Sequence, residues 1–339
     1  MIPDKVEKIL KKQHYEIVGK HSAVQVCRWT KKSLRDEGIC YKEKFYGIKS
    51  HLCCQMSPAV MWCPNKCLHC WRAIELTLGE KLEKEDSPKE IVDGCIEAQK
   101  KLLIGFKRGK KKNLSKANME KWKEAQEPMQ FAISLSGEPT LYSKIGELIE
   151  ELRRRGKTSF LVTNGLYPEK ILELKNKNQL PTQLYVSVNT SNKKLYDRFH
   201  RSSMKNAWEK LNQSLEILRT LNCRTAPKGV PRDILPGMST RGIFRMNLVK
   251  DLNMNKEHIK EYAELIKKAK PMFVEVKGFM SIGFARQRLG YDKMPSFDEM
   301  LEFVKKLSKE TGLKLLDSHE YSRAFVLGKS KEDLRIREI

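Results

Sequence analysis

The sequence predicts an α/β fold of about six βα units, with parallel strands inside and helices outside, as a partial or complete barrel. Short apolar runs of strand length recur along the chain, and amphipathic segments with helical spacing separate most of them. The runs predicted as strands are 59–62, 131–135, 160–163, 184–188, 244–248 and 273–276. The same alternation is compatible with a doubly wound open sheet, so the pattern alone leaves both architectures open.

Helix start and stop signals support this alternation. One helix begins at Ser87, which is a good N-cap; Pro88 suits the first turn and Glu90 completes a capping box. Its apolar residues recur with helical spacing. Further helices are predicted at 143–155, 255–270 and 296–311, and the first and last of these end at a glycine.

The remaining segments set the predicted domain organisation. Runs 313–316 and 324–327 predict two short strands near the carboxyl terminus. Segments 107–123 and 223–242 break the alternation, are basic or proline-rich, and are predicted as loops. We expect an N-terminal extension, 1–56, followed by a barrel core with a C-terminal extension, 57–339.

The charge balance indicates the class of partner. Lys and Arg outnumber Asp and Glu by 66 to 42, a net charge of +24, which predicts attraction to a polyanion such as nucleic acid. A surface rich in both signs, as in heat-stable proteins, would explain the charge density but not the excess of one sign. No apolar run approaches the roughly 18 residues of a membrane helix, and the amino terminus lacks a secretion signal. The sequence therefore predicts a cytoplasmic protein without a membrane partner.

Nine cysteines in a cytoplasmic chain indicate metal ligation rather than disulfides. Cys63, Cys67 and Cys70 form a C-x3-C-x2-C motif. Three thiolates in one loop can bind three irons of a [4Fe–4S] cubane and leave one iron open for a further ligand. A structural zinc site normally has four ligands. His69 could supply the fourth, but it lies between two other ligands in a tight loop.

A second cysteine set lies upstream. Twelve residues separate Cys27 from Cys40, and another twelve separate Cys40 from Cys53. This spacing predicts a second cluster held by three thiolates, again with an open iron, which suits a bidentate substrate such as an α-keto acid. Cys54, which adjoins Cys53, could be the third ligand in its place. The alternative is that these are scattered buried cysteines, which is the role expected for the isolated Cys95.

The C-x3-C-x2-C motif resembles that of the radical S-adenosylmethionine (SAM) enzymes, whose fold is a partial (βα)6-type, TIM-like radical SAM barrel. In that family SAM chelates the open iron, and its reductive cleavage gives methionine and a 5′-deoxyadenosyl radical. His69 matches the commonly aromatic position near the adenine. Other polar positions after successive strands resemble SAM contacts, although each could be an ordinary turn: Gly137, Glu138, Thr163, Asn164, Ser187 and Asn189.

The paired spacing, C-x12-C-x12-C followed by C-x3-C-x2-C, resembles the archaeal tRNA 4-demethylwyosine synthases. The resemblance covers nearly the whole chain. Segments that also match the family are 56–58, 70–72, 134–141, 180–187 and 248–253.

This resemblance implies a reaction. N1-methylguanosine beside the anticodon of tRNA-Phe condenses with pyruvate to give tricyclic 4-demethylwyosine, in a carbon–carbon lyase reaction. The radical takes hydrogen from the N-methyl group, the carbon radical attacks pyruvate, the carboxyl carbon is lost, and imine formation closes the ring. The resemblance further implies two [4Fe–4S] clusters, SAM and a separate electron donor, and we expect a monomer. Lys42 is the implied Schiff-base lysine, with Lys49 as the nearest alternative.

Asn189 with its two following residues, the length of 223–242, and Ala285 depart from the family pattern, which leaves substrate contacts open. Two rival functions also stay open. One is another radical SAM enzyme with an auxiliary cluster and a non-tRNA substrate, which predicts no specific tRNA binding. The other is a non-catalytic, zinc-stabilised RNA-binding protein, which predicts no SAM cleavage.

Overall fold

The structure, a computed structural model, describes residues 1–107, 117–221 and 240–336. The chain forms two compact units. The first comprises Met1–Trp62, Leu78–Leu161 and Arg335–Ile339, and the second comprises Cys63–Thr77 and Val162–Leu334. The expected boundary between residues 56 and 57 stays a prediction.

The first unit combines an antiparallel hairpin with a parallel run of strands. Its strand order is β1-β2-β3-β4-β5, in which β1–β2 and β2–β3 are antiparallel and β3–β4 and β4–β5 are parallel. The strands are β1 (Glu16–Val18), β2 (Ser22–Val24), β3 (Cys53–Ser57), β4 (Gln130–Ile133) and β5 (Thr158–Thr163). The helices are α1 (Asp4–Lys12), α2 (Arg28–Leu34), α3 (Tyr41–Tyr46), α4 (Pro88–Leu103), α5 (Met119–Glu124) and α6 (Ile145–Arg154).

The second unit has parallel strands followed by an antiparallel pair. Its strand order is β6-β7-β8-β10-β9, in which β6, β7 and β8 are parallel and β10 is antiparallel to both of its neighbours. The strands are β6 (Gln183–Ser187), β7 (Arg241–Leu248), β8 (Phe273–Gly278), β9 (Lys314–His319) and β10 (Ala324–Gly328). The helices are α7 (Pro168–Asn176), α8 (Lys193–His200), α9 (Ala207–Leu218), α10 (His258–Ala269), α11 (Ala285–Arg288) and α12 (Phe297–Thr311).

The predicted capping signals form as expected. Ser87 Oγ accepts from the Glu90 amide at 3.3 Å, and the Glu90 carboxylate accepts from the Ser87 amide at 2.7 Å, which fixes the start of α4. Ser296 and Glu299 repeat this capping box at α12. That helix ends at Gly312, whose φ of 70° is the left-handed conformation that favours glycine.

The prediction of a strand at 59–62 is wrong. The strand in this part of the chain is β3, and 58–62 forms a bend and a turn, with the Trp62 amide donating to the Ala59 carbonyl at 3.1 Å. All four residues of 59–62 are buried. Their apolar run therefore reflects core packing without strand pairing, which periodicity alone does not distinguish.

The two predicted loops are partly corrected. Asn118 caps α5 through its side-chain oxygen, so the end of the 107–123 segment is helical; residues 108–116 lie outside the described residues. Arg241 and Gly242 belong to β7, while 222–239 lie outside the described residues. Within the part of the chain that the structure describes, no helix combines the length and apolarity needed to span a bilayer.

Candidate active site

The loop that carries Cys67 is fixed by the carboxyl end of α8. The Lys66 amide donates to the His200 carbonyl at 2.9 Å, and the Leu68 amide donates to the Phe199 carbonyl at 3.0 Å. These bonds lie on either side of Cys67. They use carbonyls of the last helical turn, which have no partner within a helix, so the helix end determines where the thiol lies.

Nitrogen atoms lie close to two of the sulfur atoms of this loop. Cys63 Sγ accepts from the Asn65 amide at 3.4 Å and lies 3.8 Å from Asn164 Nδ2. Cys67 Sγ lies 3.0 Å from His200 Nδ1. Burial raises the pKa of the Cys67 thiol well above its usual value, and its neighbours Cys63 and Cys70 raise it further. The three thiols are therefore close enough to interact.

A buried cation accompanies the three thiols. Arg72 is 2% exposed, and its guanidinium donates to the Asn65 carbonyl at 2.5 Å. Burial by itself lowers the pKa of Arg72, but the thiolates of Cys63, Cys70 and Cys67 outweigh that effect and raise it. Because a buried charge requires compensation, this arrangement fits an anionic iron–thiolate cluster.

Arg288 of α11 also forms hydrogen bonds to the loop that carries the three cysteines. Its guanidinium donates to the carbonyls of Leu68 and Cys70, with a longer bond to the carbonyl of Arg72 at 3.3 Å. The amide of Phe284 donates to the Trp71 carbonyl at 3.0 Å. Residues 284–288 thus hold the backbone that follows the last cysteine of the motif.

The ring of His69 is packed among aromatic side chains. It stacks on Phe199 with centroids 5.0 Å apart and meets His200 edge-on at 6.4 Å. Burial, together with the charges of Arg245 and Arg288, lowers the pKa of His69 to about 4, so the ring is neutral. Its Nδ1 is buried and has no hydrogen-bond partner among the described residues.

Among residues 1–107, 117–221 and 240–336, no group of three or more His, Cys, Asp or Glu side chains is arranged for one metal ion.

Gly137 lies in the first unit at a position that admits no side chain. Its φ is +76°, and a Cβ there would lie 1.8 Å from the Ala59 carbonyl oxygen. Ser136 Oγ donates to the Val60 carbonyl at 2.8 Å, and the Glu138 amide donates to the Trp62 carbonyl at 2.7 Å. Residues 136–138 therefore lie directly against the segment that precedes Cys63 in the sequence.

The carboxylate of Glu138 is buried and forms a local turn. It accepts from the Thr140 hydroxyl at 2.6 Å and from the Thr140 amide at 3.2 Å. These bonds hold the turn at Pro139–Leu141. The Glu138 carboxylate is thus engaged in a local turn.

The polar residues at and just after the ends of β5 and β6 have mixed roles. Thr163 Oγ1 accepts from the Gly165 amide at 3.1 Å, and Asn164 points its Nδ2 towards Cys63. Ser187 is partly exposed at the end of β6, in register with Arg245. The side-chain oxygen of Asn189 accepts from the Asn247 amide at 3.0 Å, a bond that joins two strand ends.

In the first unit, three separate elements bring Cys27, Cys40 and Cys53 together. Cys27 and Cys40 are the N-caps of α2 and α3, and Cys53 begins β3. Burial, opposed by the Lys42 charge and assisted by smaller effects of Cys27 and Cys40, raises the pKa of the Cys53 thiol to about 12. All three thiols and this ammonium group therefore lie within electrostatic range of one another.

Cys54 points to the other face of β3. It is fully buried, and after burial the largest contribution that raises its pKa comes from Cys95 of α4. Successive side chains of a strand point to opposite faces, so Cys53, and not Cys54, faces Cys27 and Cys40. Cys95 is fully buried, as expected for a small apolar residue.

Lys42 is buried beside this second cysteine set. It is 7% exposed, and its Nζ lies 4.6 Å from the centre of the Phe160 ring. Its amide donates to Cys40 Sγ at 3.5 Å. Lys49, by contrast, is exposed and pairs with Glu124 at 3.3 Å, so the geometry favours Lys42 as the functional lysine.

Comparison with known proteins identifies the family. The model of the radical SAM superfamily matches residues 58–239, and that of wyosine base formation matches residues 268–329. The S-adenosyl-L-methionine-dependent tRNA 4-demethylwyosine synthase of Pyrococcus abyssi is 42% identical over 98% of this chain and 91% of that protein. Its counterpart in Methanocaldococcus jannaschii is 33% identical over 96% of each. The chain belongs to the tRNA 4-demethylwyosine synthases.

Solved structures of this family confirm the predicted fold class, an α/β radical SAM barrel. A structure of TYW1 with a lysine-pyruvate adduct bound is 33% identical, covers 99% of this chain and 98% of that one, and has a TM-score of 0.81. A crystal structure of archaeal TYW1 is 31% identical over 99% of both chains, with a TM-score of 0.74. Radical SAM family membership implies a [4Fe–4S] cluster and SAM, which disfavours the zinc-stabilised rival.

No site role was predicted from the sequence for four residues of this 4-demethylwyosine synthase that contact the cluster loop or place a charge near it. They are Arg72, His200, Arg245 and Arg288. No spacing pattern links them, since three lie more than a hundred residues beyond the cysteines. The available signal was the position of Arg72, two residues after Cys70, where a cation can reach back to the loop.

Proposed function

We propose that this enzyme condenses N1-methylguanosine of tRNA-Phe with pyruvate to form 4-demethylwyosine, as a carbon–carbon lyase that works as a monomer in the cytoplasm. The relatives' names supply the tRNA product. A related structure contains a lysine–pyruvate adduct, which supports pyruvate as the second substrate. The observation that carries the proposal is the buried Lys42 beside Cys27, Cys40 and Cys53.

Cys63, Cys67 and Cys70 hold the radical SAM cluster in this proposal. Bound there, the cluster and SAM supply the 5′-deoxyadenosyl radical, with electrons from a separate donor. Arg72 compensates the negative charge of the site from within the protein. The backbone at Gly137 and Glu138 would receive the SAM amino group, and the absence of a Cβ at Gly137 is what allows the chain to pass so close to Ala59.

The remaining residues proposed for the SAM site have different roles. Asn164 and Ser187 have polar side chains at the ends of strands and are proposed to contact SAM. Thr163 and Asn189 accept backbone hydrogen bonds and act by shaping the turns that present their neighbours. The neutral ring of His69 offers an apolar face for the adenine.

Cys27, Cys40 and Cys53 are proposed to bind a second [4Fe–4S] cluster within the extension formed by residues 1–56. Three ligands leave one iron open, where the carboxylate and ketone oxygens of pyruvate would bind. Lys42 lies within electrostatic range of Cys53, so its side chain is beside this proposed pyruvate site.

Lys42 is the proposed nucleophile for pyruvate. Its amine attacks the ketone carbon, and loss of water gives an imine; the amine must be unprotonated to attack. Burial against the Phe160 ring excludes bulk water from the amine. This protects the imine from hydrolysis until the nucleoside reacts.

Borohydride trapping tests the lysine assignment. Reduction of the enzyme with labelled pyruvate is expected to leave a stable adduct on Lys42, located by mass spectrometry of peptides. Lys42→Met should abolish the label, whereas Lys49→Met, at an exposed position, should retain it. Labelling at Lys49, or equal labelling of both variants, would sink the assignment.

An anaerobic assay tests the function as a whole. Reconstituted protein receives dithionite, SAM, pyruvate and tRNA bearing N1-methylguanosine, and the digested nucleosides are analysed by mass spectrometry. Conversion of N1-methylguanosine to the tricyclic nucleoside, together with 5′-deoxyadenosine, is expected. SAM cleavage without a changed nucleoside would point to the rival radical SAM enzyme with another substrate.

A further inference from the structure

His200 makes a close contact between α8 and a proposed cluster ligand. Its Nδ1 lies 3.0 Å from Cys67 Sγ, and its side chain is 3% exposed. The amides of Lys66 and Leu68, which flank Cys67, bind the carbonyls of His200 and Phe199. Two backbone bonds therefore hold the Cys67 backbone against the end of the helix that carries the imidazole.

The packing of the imidazole keeps Nδ1 directed at the sulfur. The His200 ring lies 4.5 Å from the Tyr196 ring and 5.1 Å from the Phe199 ring, measured between centroids. Its Nε2 is buried and has no hydrogen-bond partner among the described residues. Rotation of the ring would place Nδ1 among aromatic carbons and lose the contact with Cys67.

Ligation of iron fixes which atom donates. An iron-bound thiolate has no proton and acts only as an acceptor, so a nitrogen lone pair at 3.0 Å would repel it. The favourable arrangement places the ring proton on Nδ1 and leaves the lone pair on Nε2.

We propose that His200 donates an Nδ1–H hydrogen bond to the Cys67 thiolate and thereby raises the reduction potential of the radical SAM cluster. The inference rests on the proposed ligation of that cluster by Cys63, Cys67 and Cys70. Hydrogen bonds to cluster sulfurs are among the factors that set the potential. The sign is upward, because the donor stabilises the additional negative charge of the reduced cluster more than the charge of the oxidised cluster.

This role differs from the general shielding that burial provides. Asn65 and Asn164 place nitrogen atoms at 3.4 and 3.8 Å from Cys63 Sγ. The His200 contact is shorter than either and comes from a side chain that a substitution can remove without altering the cluster loop. It is therefore the donor whose contribution can be measured separately.

Two substitutions separate hydrogen bonding from packing. His200→Phe keeps an aromatic ring beside Tyr196 and Phe199 but removes the donor. His200→Asn is smaller, yet its amide nitrogen can occupy the position of Nδ1 and restore the donor. Both are made in the full chain and reconstituted with iron and sulfide under anaerobic conditions.

The measurement is a potentiometric titration followed by electron paramagnetic resonance. The radical SAM cluster is recognised as the signal that changes when SAM is added. At the wild-type midpoint potential, we expect His200→Phe to show an approximately tenfold lower ratio of reduced to oxidised cluster, a midpoint about 59 mV lower for one electron. His200→Asn should stay within about twofold of wild type on the same scale.

The outcomes distinguish the two levels of the proposal. A wild-type protein without a SAM-responsive signal would refute the proposed cluster and function. A normal signal with an unchanged midpoint in His200→Phe would refute the hydrogen bond alone, and equal shifts in both variants would assign the effect to packing.

A second measurement applies if His200→Phe does not retain iron. Wild-type enzyme labelled with ¹⁵N-histidine should show nitrogen hyperfine coupling to the reduced, SAM-responsive cluster. That coupling should be lost in His200→Asn, which retains His69 as an internal control. Its absence in wild type, or its persistence in His200→Asn, would overturn the inference.

Discussion

The two cysteine sets of this enzyme are built in different ways. Cys63, Cys67 and Cys70 lie within eight residues of one loop, whereas Cys27, Cys40 and Cys53 span 27 residues and belong to three elements. In the first set the chain connectivity alone keeps the thiols close. In the second set their proximity depends on how α2, α3 and β3 pack.

A single buried serine joins the elements of the second set. Ser50 Oγ accepts from the Cys40 amide at 2.8 Å and donates to Glu43 at 2.5 Å. Its carbonyl accepts from Thr30 Oγ1 of α2 at 3.0 Å, and Cys53 follows three residues later. A local ligand set therefore needs support for its orientation, while a dispersed set needs support for its assembly.

The largest expected effect is the loss of a ligand from the local set. Cys67→Ala should reduce formation of 5′-deoxyadenosine to below detection, because a two-thiolate loop no longer binds the cubane stably. Cys95→Ala, which removes a buried thiol from α4, should retain SAM cleavage. Anaerobic incubation with dithionite and SAM, followed by chromatography, measures both. Full activity in Cys67→Ala would contradict the ligand assignment.

Loss of a ligand from the dispersed set should separate the two halves of the reaction. Cys40→Ala is expected to retain 5′-deoxyadenosine formation but give no tricyclic nucleoside, because the site for pyruvate is lost. Cys54→Ala, on the opposite face of β3, should retain both products. Iron content and nucleoside mass spectrometry provide the measurement. If Cys54→Ala, and not Cys40→Ala, lost the nucleoside product, the assigned register would be wrong.

Two glycines with similar backbone conformations test the close contact between Gly137 and the segment that precedes Cys63. Gly156→Ala, with a φ of +66° and open space around the Cβ, should cost about 1–2 kcal/mol of unfolding free energy from backbone strain alone. Gly137→Ala, with a φ of +76°, adds a clash with the Ala59 carbonyl and should cost about 1–3 kcal/mol more. Denaturant unfolding of both variants measures the difference. Equal destabilisation would mean that the segment around Ala59 moves to accommodate the added Cβ without a cost in free energy.

The smallest expected effect concerns assembly of the dispersed set. Ser50→Ala leaves the partly buried Cys40 amide without its Ser50 acceptor and should cost about 1 kcal/mol of unfolding free energy. It should also accelerate iron loss from the second cluster while the first is retained. The control, Ser143→Ala at an exposed position, should stay within about 0.5 kcal/mol. The rate of iron release to a chelator, with unfolding measured in parallel, tests this role of Ser50. Equal iron retention by the two variants would contradict it.

Much of the local structure was predictable because its signals are local. The capping boxes at Ser87 and Ser296 each depend on two residues three positions apart, and both helices begin where expected. The strand predicted at the apolar run 59–62 was wrong because a buried turn and a buried strand have the same composition. Strand pairing depends on neighbours elsewhere in the chain, which periodicity does not contain.

The sequence by itself determined the family, the fold class and the two cysteine spacings, because each is encoded in short motifs or in the alternation of elements. Only the tertiary structure decided that Cys53 and not Cys54 faces Cys40, and that Lys42 is buried beside them. It alone also placed His200 against Cys67 across 133 positions of sequence. The physical reason is that hydrogen bonds and burial act over a few ångströms of space, whereas spacing patterns record only distance along the chain.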